Sequence, residues 1–141
     1  MNRLQTKIGG PASSLDAASL SQHANASVQL IVPMLLKALE EQRAALRNAI
    51  SATQPQPDRA FVVAHHIRAI AAPAGRPRLG ELADCLARYI TTCGDKQIEC
   101  AAAVLLPLAT AIDRAFDIDD ADPLLDEVVA AARALIALSL D

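Results

Sequence analysis

Aromatic residues are almost missing from this chain. Its 141 residues include three, Phe61, Tyr89 and Phe116, and no tryptophan. An all-β sandwich draws on aromatic and β-branched side chains, so the composition argues against one. No apolar run reaches the roughly 18–20 residues that a membrane span needs. The opening segment, MNRLQTKIGGPASS, has no apolar stretch of the kind a secretory leader carries. A cytoplasmic protein without direct membrane contact is therefore expected. An excess of positive charge is lacking too: 13 basic residues stand against 16 acidic ones, net −3. That argues against nucleic acid as a partner. The cysteines are few and odd in number. Cys85, Cys93 and Cys100, spaced by eight and seven, match neither a disulfide framework nor a zinc pattern. They read as small buried hydrophobes on helices.

Ala, Leu and Arg dominate what remains, and these favour helix. Apolar residues make up 52% of the chain, enough for the core of one domain. Residues 1–13 read as a flexible arm, broken by Gly9, Gly10 and Pro11, with the domain itself over 14–141. A short helix is expected after Ser14 as N-cap. A long one follows from Asn25 or Ser27 to about Ile50, with Val28, Ile31, Leu35, Leu39, Leu46 and Ile50 on one stripe. Pro33 marks a late start or a kink. The proline-containing segment 51–57 is a loop. Asp58 then caps a second helix through about Ala74, stopped by Gly75 at the C′ position. Pro77 opens a third helix carrying Leu79, Leu82, Leu86 and Tyr89. The segment TTCGD closes it. A fourth is expected from about Asp95 to Phe116, with Ile98, Ala102, Leu105, Leu108 and Ile112 inward and a bend at Pro107. Asp122 as N-cap and Pro123 at the first helical position start the last helix, through Leu140. The fold expected is all-α: an up-and-down antiparallel four-helix bundle with one or two additional helices.

The last helix, 123–140, is apolar over a wide arc that includes Leu124, Leu125, Val128, Val129, Ala131, Leu135, Ile136 and Leu138. Such a face must be covered, by the domain itself or by a second copy. A monomer is favoured, with a dimer through this helix as the other arrangement.

The segment AHHIRAIAAPAGRPRLGEL, residues 64–82, carries the chemistry. A helix advances about 100° per residue. Val63, Ile67, Ile70 and Ala74 then share the core face. His65 falls on the opposite side with Phe61, Arg68, Ala69 and Ala72, while His66 lies nearer the edge of the buried stripe. The small alanines leave the His65 imidazole unobstructed. Arg68, one turn along, can offset the charge of a phosphoryl group placed on the ring. Phe61 and the alanines supply an apolar rim for a partner. An imidazole is a competent nucleophile near neutral pH because much of it is unprotonated.

These residues resemble the motif of the histidine-containing phosphotransfer domains of bacterial two-component phosphorelays. That motif has an aliphatic residue at +2 from the histidine, Lys or Arg at +3, Gly at +4 and +10, and aliphatics at +14 and +17. Counting from His65, this chain has Ile67, Arg68, Ala69, Gly75, Leu79 and Leu82. His66 does not fit the register. The match in helix order covers about residues 27–118. Ala69 departs from the family glycine, and Ile70 stands where a small residue is usual. The resemblance implies a phosphocarrier without kinase activity of its own. His65 would be the phosphoacceptor, Arg68 would support the phosphoryl charge, and Phe61, Ala69 and Ala72 would form the docking face. It implies no cofactor in this chain. Mg²⁺ belongs to the partner, a response-regulator receiver domain such as that of a hybrid sensor kinase.

Three competing readings differ in class. The first is an adaptor or inhibitor that docks on a receiver or histidine kinase without transferring phosphate. The second is a metal or redox site using His23, His65, His66 and the cysteines. Adjacent histidines on a helix diverge by about 100°, which disfavours a shared ion, and no metal is expected. The third is a hydrolase using the acidic run 117–122, but that run reads better as a charged turn, lacking the Gly and terminal Glu of an EF-hand.

Overall fold

Proline sets the start of four of the five helices in the computed structural model, and the loops between them are short. The backbone is described over residues 11–140 and the side chains over 29–140. The helices are α1 (Pro11–Ser51), α2 (Pro57–Ala71), α3 (Pro77–Asp95), α4 (Ala102–Ala115) and α5 (Pro123–Leu140). The described residues are all-helical, with no strand among them. Of the expected arm, residues 1–10 lie outside the described residues. Pro11 already opens α1, so the short helix after Ser14 and the long one from Asn25 or Ser27 are a single element. Pro33 lies within it rather than at its start.

The chain divides into two units, with the boundary inside α1 between Met34 and Leu35. In the first, Leu30, Ile31 and Met34 are exposed, so Ile31 does not join a buried stripe. The expected core position Val28 lies outside the residues with described side chains. The second unit holds the core. There Leu39, Leu46 and Ala49 of α1 are buried in one cluster with residues from the other four helices. Helix α3 packs against α2, α4 and α5, and α4 also packs against α5. The approach of α2 to α3 depends on Gly80. A Cβ there would stand 3.3 Å from the Cβ of Ala71, closer than most packed carbons tolerate, and in ordinary contact, at 3.7 Å, with the Arg68 carbonyl oxygen.

Helix ends explain where the sequence reading holds and where it slips. Pro57 takes the first position of α2, and Gln56, not Asp58, is the N-cap; Asp58 stands in the first turn, where a carboxylate suits the helix dipole. At the other end Gly75 adopts φ +82°. Its N–H donates to Ala72 O at 3.0 Å, and Arg76 N–H donates to Ala71 O at 2.8 Å, the double closure of a Schellman turn. The same closure ends α3: Gln97 N–H donates to Gly94 O, and Ile98 N–H to Cys93 O, with Gln97 at φ 55°. So α3 runs through the segment TTCGD, and a loop, not a helix, spans 96–101. Helix α4 starts at Ala102, later than expected. Ile98 is exposed, and Cys100 lies in the loop rather than on a helix. Asp122 does cap α5, its Oδ1 accepting from Leu124 N–H at 2.9 Å.

Long-range polar contacts fasten these ends. Asp120 accepts from Arg78 N–H at 3.1 Å and Leu79 N–H at 3.2 Å, so the α4–α5 loop caps α3. Arg76 pairs with Asp120 at 3.3 Å. It also donates to the carbonyl oxygens of Ala115, Phe116 and Ile118 around the end of α4. Arg43 on α1 is buried. It donates to Asp117 at 2.7 and 2.9 Å, to Asp113 Oδ1 at 2.9 Å and to Asp113 O at 2.8 Å. The hydrogen bonds to Asp117 first, and to Asp113, hold the Arg43 guanidinium above its ordinary range against the opposing effect of burial.

Helix α5 buries Leu125, Val129 and Ala132, with Val128, Leu135 and Ile136 partly covered. Much of its apolar arc is thus covered within the chain, while Leu124 and Leu138 remain exposed.

Candidate functional site

Helix α2 buries Ala60, Val63, Ala64, Ile67 and Ala71. Its outward face therefore carries His65, Arg68, Ala69 and Ala72, all exposed, with Phe61 half-buried beside them. The physical cause is the 3.6-residue period acting on an alanine-rich helix whose larger aliphatics fall on one side. The rings of Phe61 and His65 lie nearly parallel, 14° apart, with centroids separated by 6.2 Å. Phe61 thus limits one side of the imidazole, and the alanines leave the other open. His66, nearer the edge of the buried stripe, is exposed too, 6.4 Å from His65 and tilted by 49°. Ile70 is half-buried and packs at the edge of the core.

The positions that follow His65 are placed by packing. Ile67, Leu79 and Leu82 are buried, and Gly75 forms the turn from α2 to α3. Leu79 and Leu82 lie on α3, so the spacing that looks like one motif is the register of two helices pressed together through Gly80.

Two residues escaped the sequence reading. Val62 is half exposed on the His65 side of α2 and adds apolar surface there; the helical wheel places it about 60° from His65 and could have found it. Asp84 on α3 is the other. Arg68 Nη1 lies 3.0 Å from its Oδ1, and Arg88 Nε lies 2.8 Å from its Oδ2. The first contact is an ion pair without hydrogen-bond alignment, and Oδ1 is sealed from water with no aligned donor. Only the i, i+4 spacing of Asp84 and Arg88 is visible in sequence. An open groove of about 330 Å³, lined by Arg68, Ala72, Pro77, Gly80, Glu81 and Asp84, runs beside the histidine face.

A larger pocket lies elsewhere among the described residues. About 550 Å³ in volume, it is bounded by Pro55, Pro57, Ile90, Cys93, Glu99 and Cys100 and contains no histidine. Burial, and next the hydrogen bond with Cys93, push the Cys100 thiol up to about 11. Burial likewise raises Cys85. Both are poor nucleophiles as protonated thiols. Among the described residues no three His, Cys, Asp or Glu side chains converge to hold a metal ion. His23 lies outside the residues with described side chains. The acidic run divides into structural parts: Asp117 pairs with Arg43, Asp120 caps α3 and Asp122 caps α5. Among the described residues no helix is long and apolar enough to cross a membrane.

Comparison with protein-family models, curated proteins and solved structures gave no match.

Proposed function

We propose that this chain is a histidine phosphotransfer protein, an up-and-down four-helix bundle with an added helix. It accepts a phosphoryl group on His65 from the phosphoaspartate of a receiver domain and passes it to a second receiver. The observation that carries this reading is an exposed imidazole on a helix that is otherwise anchored, flanked by Ala69 and Ala72 and one turn from Arg68.

The chemistry asks little of the carrier. An unprotonated ring nitrogen of His65 attacks phosphorus. The bond from phosphorus to the aspartyl oxygen breaks, and the carboxylate leaves with its electron pair. The second step repeats this in reverse on another aspartate. Mg²⁺ in the receiver neutralises the phosphoryl oxygens. Positioning and charge neutralisation supply most of the catalysis in phosphoryl transfer. What the carrier contributes is a fixed ring, the Arg68 cation and room for the partner's loops. The buried Ile67 anchors the opposite face of α2, and Phe61 and Val62 offer apolar contact. Activity in the cytoplasm, with no kinase reaction of its own, belongs to the same reading.

A second reading is favoured by two details. Ala69 places a methyl where the family has none, and Arg68 is drawn toward Asp84. An adaptor that occupies a receiver or kinase without transfer fits these as well. Incubation with a receiver phosphorylated on its aspartate separates the two. Label that is acid-labile and base-stable, present on the wild type and on His66→Gln and absent from His65→Gln, is the expected result. Docking without label on the wild type refutes the phosphocarrier and favours the adaptor.

A further inference from the structure

Arg68 is the cation nearest in sequence to the His65 ring on the outward face of α2, and it is not free. Its guanidinium, about half exposed, rests against the Asp84 carboxylate of α3 at 3.0 Å. Asp84 is three-quarters buried, and Arg88 holds its other oxygen at 2.8 Å. Two arginines therefore share one carboxylate; the contact with Arg68 is the longer of the two, 3.0 Å against 2.8 Å, and Oδ1 has no aligned donor. Glu81 does not compete for Arg68, being engaged by Arg78 at 3.1 Å and approached by Arg133 at 4.0 Å.

We propose that Asp84 is a positioning residue that holds Arg68 over α3 while His65 is bare and yields it to the phosphoryl oxygens once His65 is phosphorylated, Arg88 then keeping the carboxylate neutralised. The proposal rests on the phosphocarrier reading and adds a determinant of where the phosphoryl group resides. Residues three apart on a helix have Cβ atoms about 5–6 Å apart, so a phosphoryl group on the ring is within reach of a long arginine. A dianion outcompetes a single carboxylate for a guanidinium that is half in solvent. Transfer to His65 thus carries the cost of separating Arg68 from Asp84. Arg88 lowers that cost by remaining with Asp84. The groove between Ala72 and Asp84 gives the Arg68 side chain room to swing.

The test uses the full chain and phosphoramidate, a small donor that needs no docking surface. A ring nitrogen attacks phosphorus, the N–P bond of the donor breaks, and ammonia leaves with the electron pair. Asp84→Asn keeps the shape and removes the charge, so it is expected to label about two- to fivefold faster and to lose label more slowly, the range of a partly exposed ion pair. Arg88→Ala, at an exposed position, leaves Asp84 with Arg68 alone and is expected to label more slowly by a similar factor. Asp84→Glu restores wild-type rates. In an Arg68→Ala background both effects vanish, which a merely structural role for Asp84 does not produce. Equal rates for wild type, Asp84→Asn and Arg88→Ala, or effects that persist without Arg68, overturn the proposal while leaving His65 as the acceptor. Absence of label on the wild type overturns the phosphocarrier reading and this proposal with it.

Discussion

Asp120 offers the sharpest test of how the scaffold is held. Its carboxylate accepts two N–H groups at the start of α3 and pairs with Arg76, and both side chains of that pair are mostly buried, at 12% and 16% exposure. Replacement by alanine removes a helix cap, a loss of about 1 kcal/mol. It also leaves Arg76 without its anion. Removing one partner of a buried pair ordinarily costs about 3–5 kcal/mol. Arg76 keeps its three carbonyl acceptors at the end of α4, so its charge stays solvated by protein dipoles. The pair then contributes about 1–2 kcal/mol of the loss, discounted from that range. The sum is about 2–3 kcal/mol for Asp120→Ala, a fall in melting temperature of roughly 10 °C for a chain of this size. Asp120→Asn retains a side-chain carbonyl that can accept one N–H and should lose about half as much. Urea and thermal unfolding followed by far-ultraviolet circular dichroism read both. An alanine variant within about 0.5 kcal/mol of wild type, the range of an ordinary surface change, refutes the account. So does an asparagine variant as unstable as the alanine one, because the cap would then contribute nothing.

The remaining predictions concern acid stability and backbone conformation. Hydrogen bonding to Arg47 first, and then to Arg43, holds the Asp113 carboxyl below its ordinary 3.8; Arg43 does the same for Asp117. A depressed folded value stabilises above the unfolded one and is lost as pH falls through the folded value. The wild-type melting temperature should therefore drop below about pH 4, and Arg43→Met should flatten that drop and cost about 2 kcal/mol at neutral pH, less than a fully buried pair because Asp117 is 70% exposed. An unchanged acid profile in the variant refutes this. Gly75→Ala should cost about 1–2 kcal/mol through its left-handed backbone alone, since nothing lies within 4 Å of the added Cβ. Gly75→Asn should cost less. Equal losses for the two, measured by urea unfolding, count against that cause.

The parts of this fold that were legible in the sequence are those fixed within a few residues. Pro77, Asp122 and Pro123 mark helix starts because they act on the nearest backbone N–H groups. Gly75 marks a turn because only glycine takes a positive φ cheaply. The outward direction of His65 followed from the helical period. The loop after α3 was hidden because Gln97, not a glycine, occupies the left-handed position, while Gly94 three residues earlier is helical. The caps and pairs were hidden for a different reason. Arg43 with Asp113 and Asp117, and Asp120 with α3, join residues 40 or more positions apart. Asp84 belongs with them: its partner Arg68 is on another helix, and nothing in a run of alternating charges marks that pairing.

The placement of these anchors bears on the site. Arg76, Asp120 and the Schellman turn at Gly75 fasten the junction of α2 and α3 to the end of α4. Arg43 and Arg47 fasten α1 to α4 through Asp113. These anchors involve no side chain of the outward face of α2. That face is left with two histidines, four apolar or aromatic neighbours and one arginine whose tie to Asp84 is misaligned. Rigid elements with locked ends hold a side chain in place without contacts to its tip. On the phosphocarrier reading the ring is approached by another protein, and this arrangement suits it, because a hydrogen bond to the tip would have to be broken at each encounter. The alanines serve the same end: at 69, one turn along, a long side chain could lie over the imidazole, and alanine is the best helix former at both 69 and 72. The economy of the His65 face and the density of polar fastening elsewhere are thus two sides of one requirement, that the scaffold be stiff where it is not touched and bare where it is.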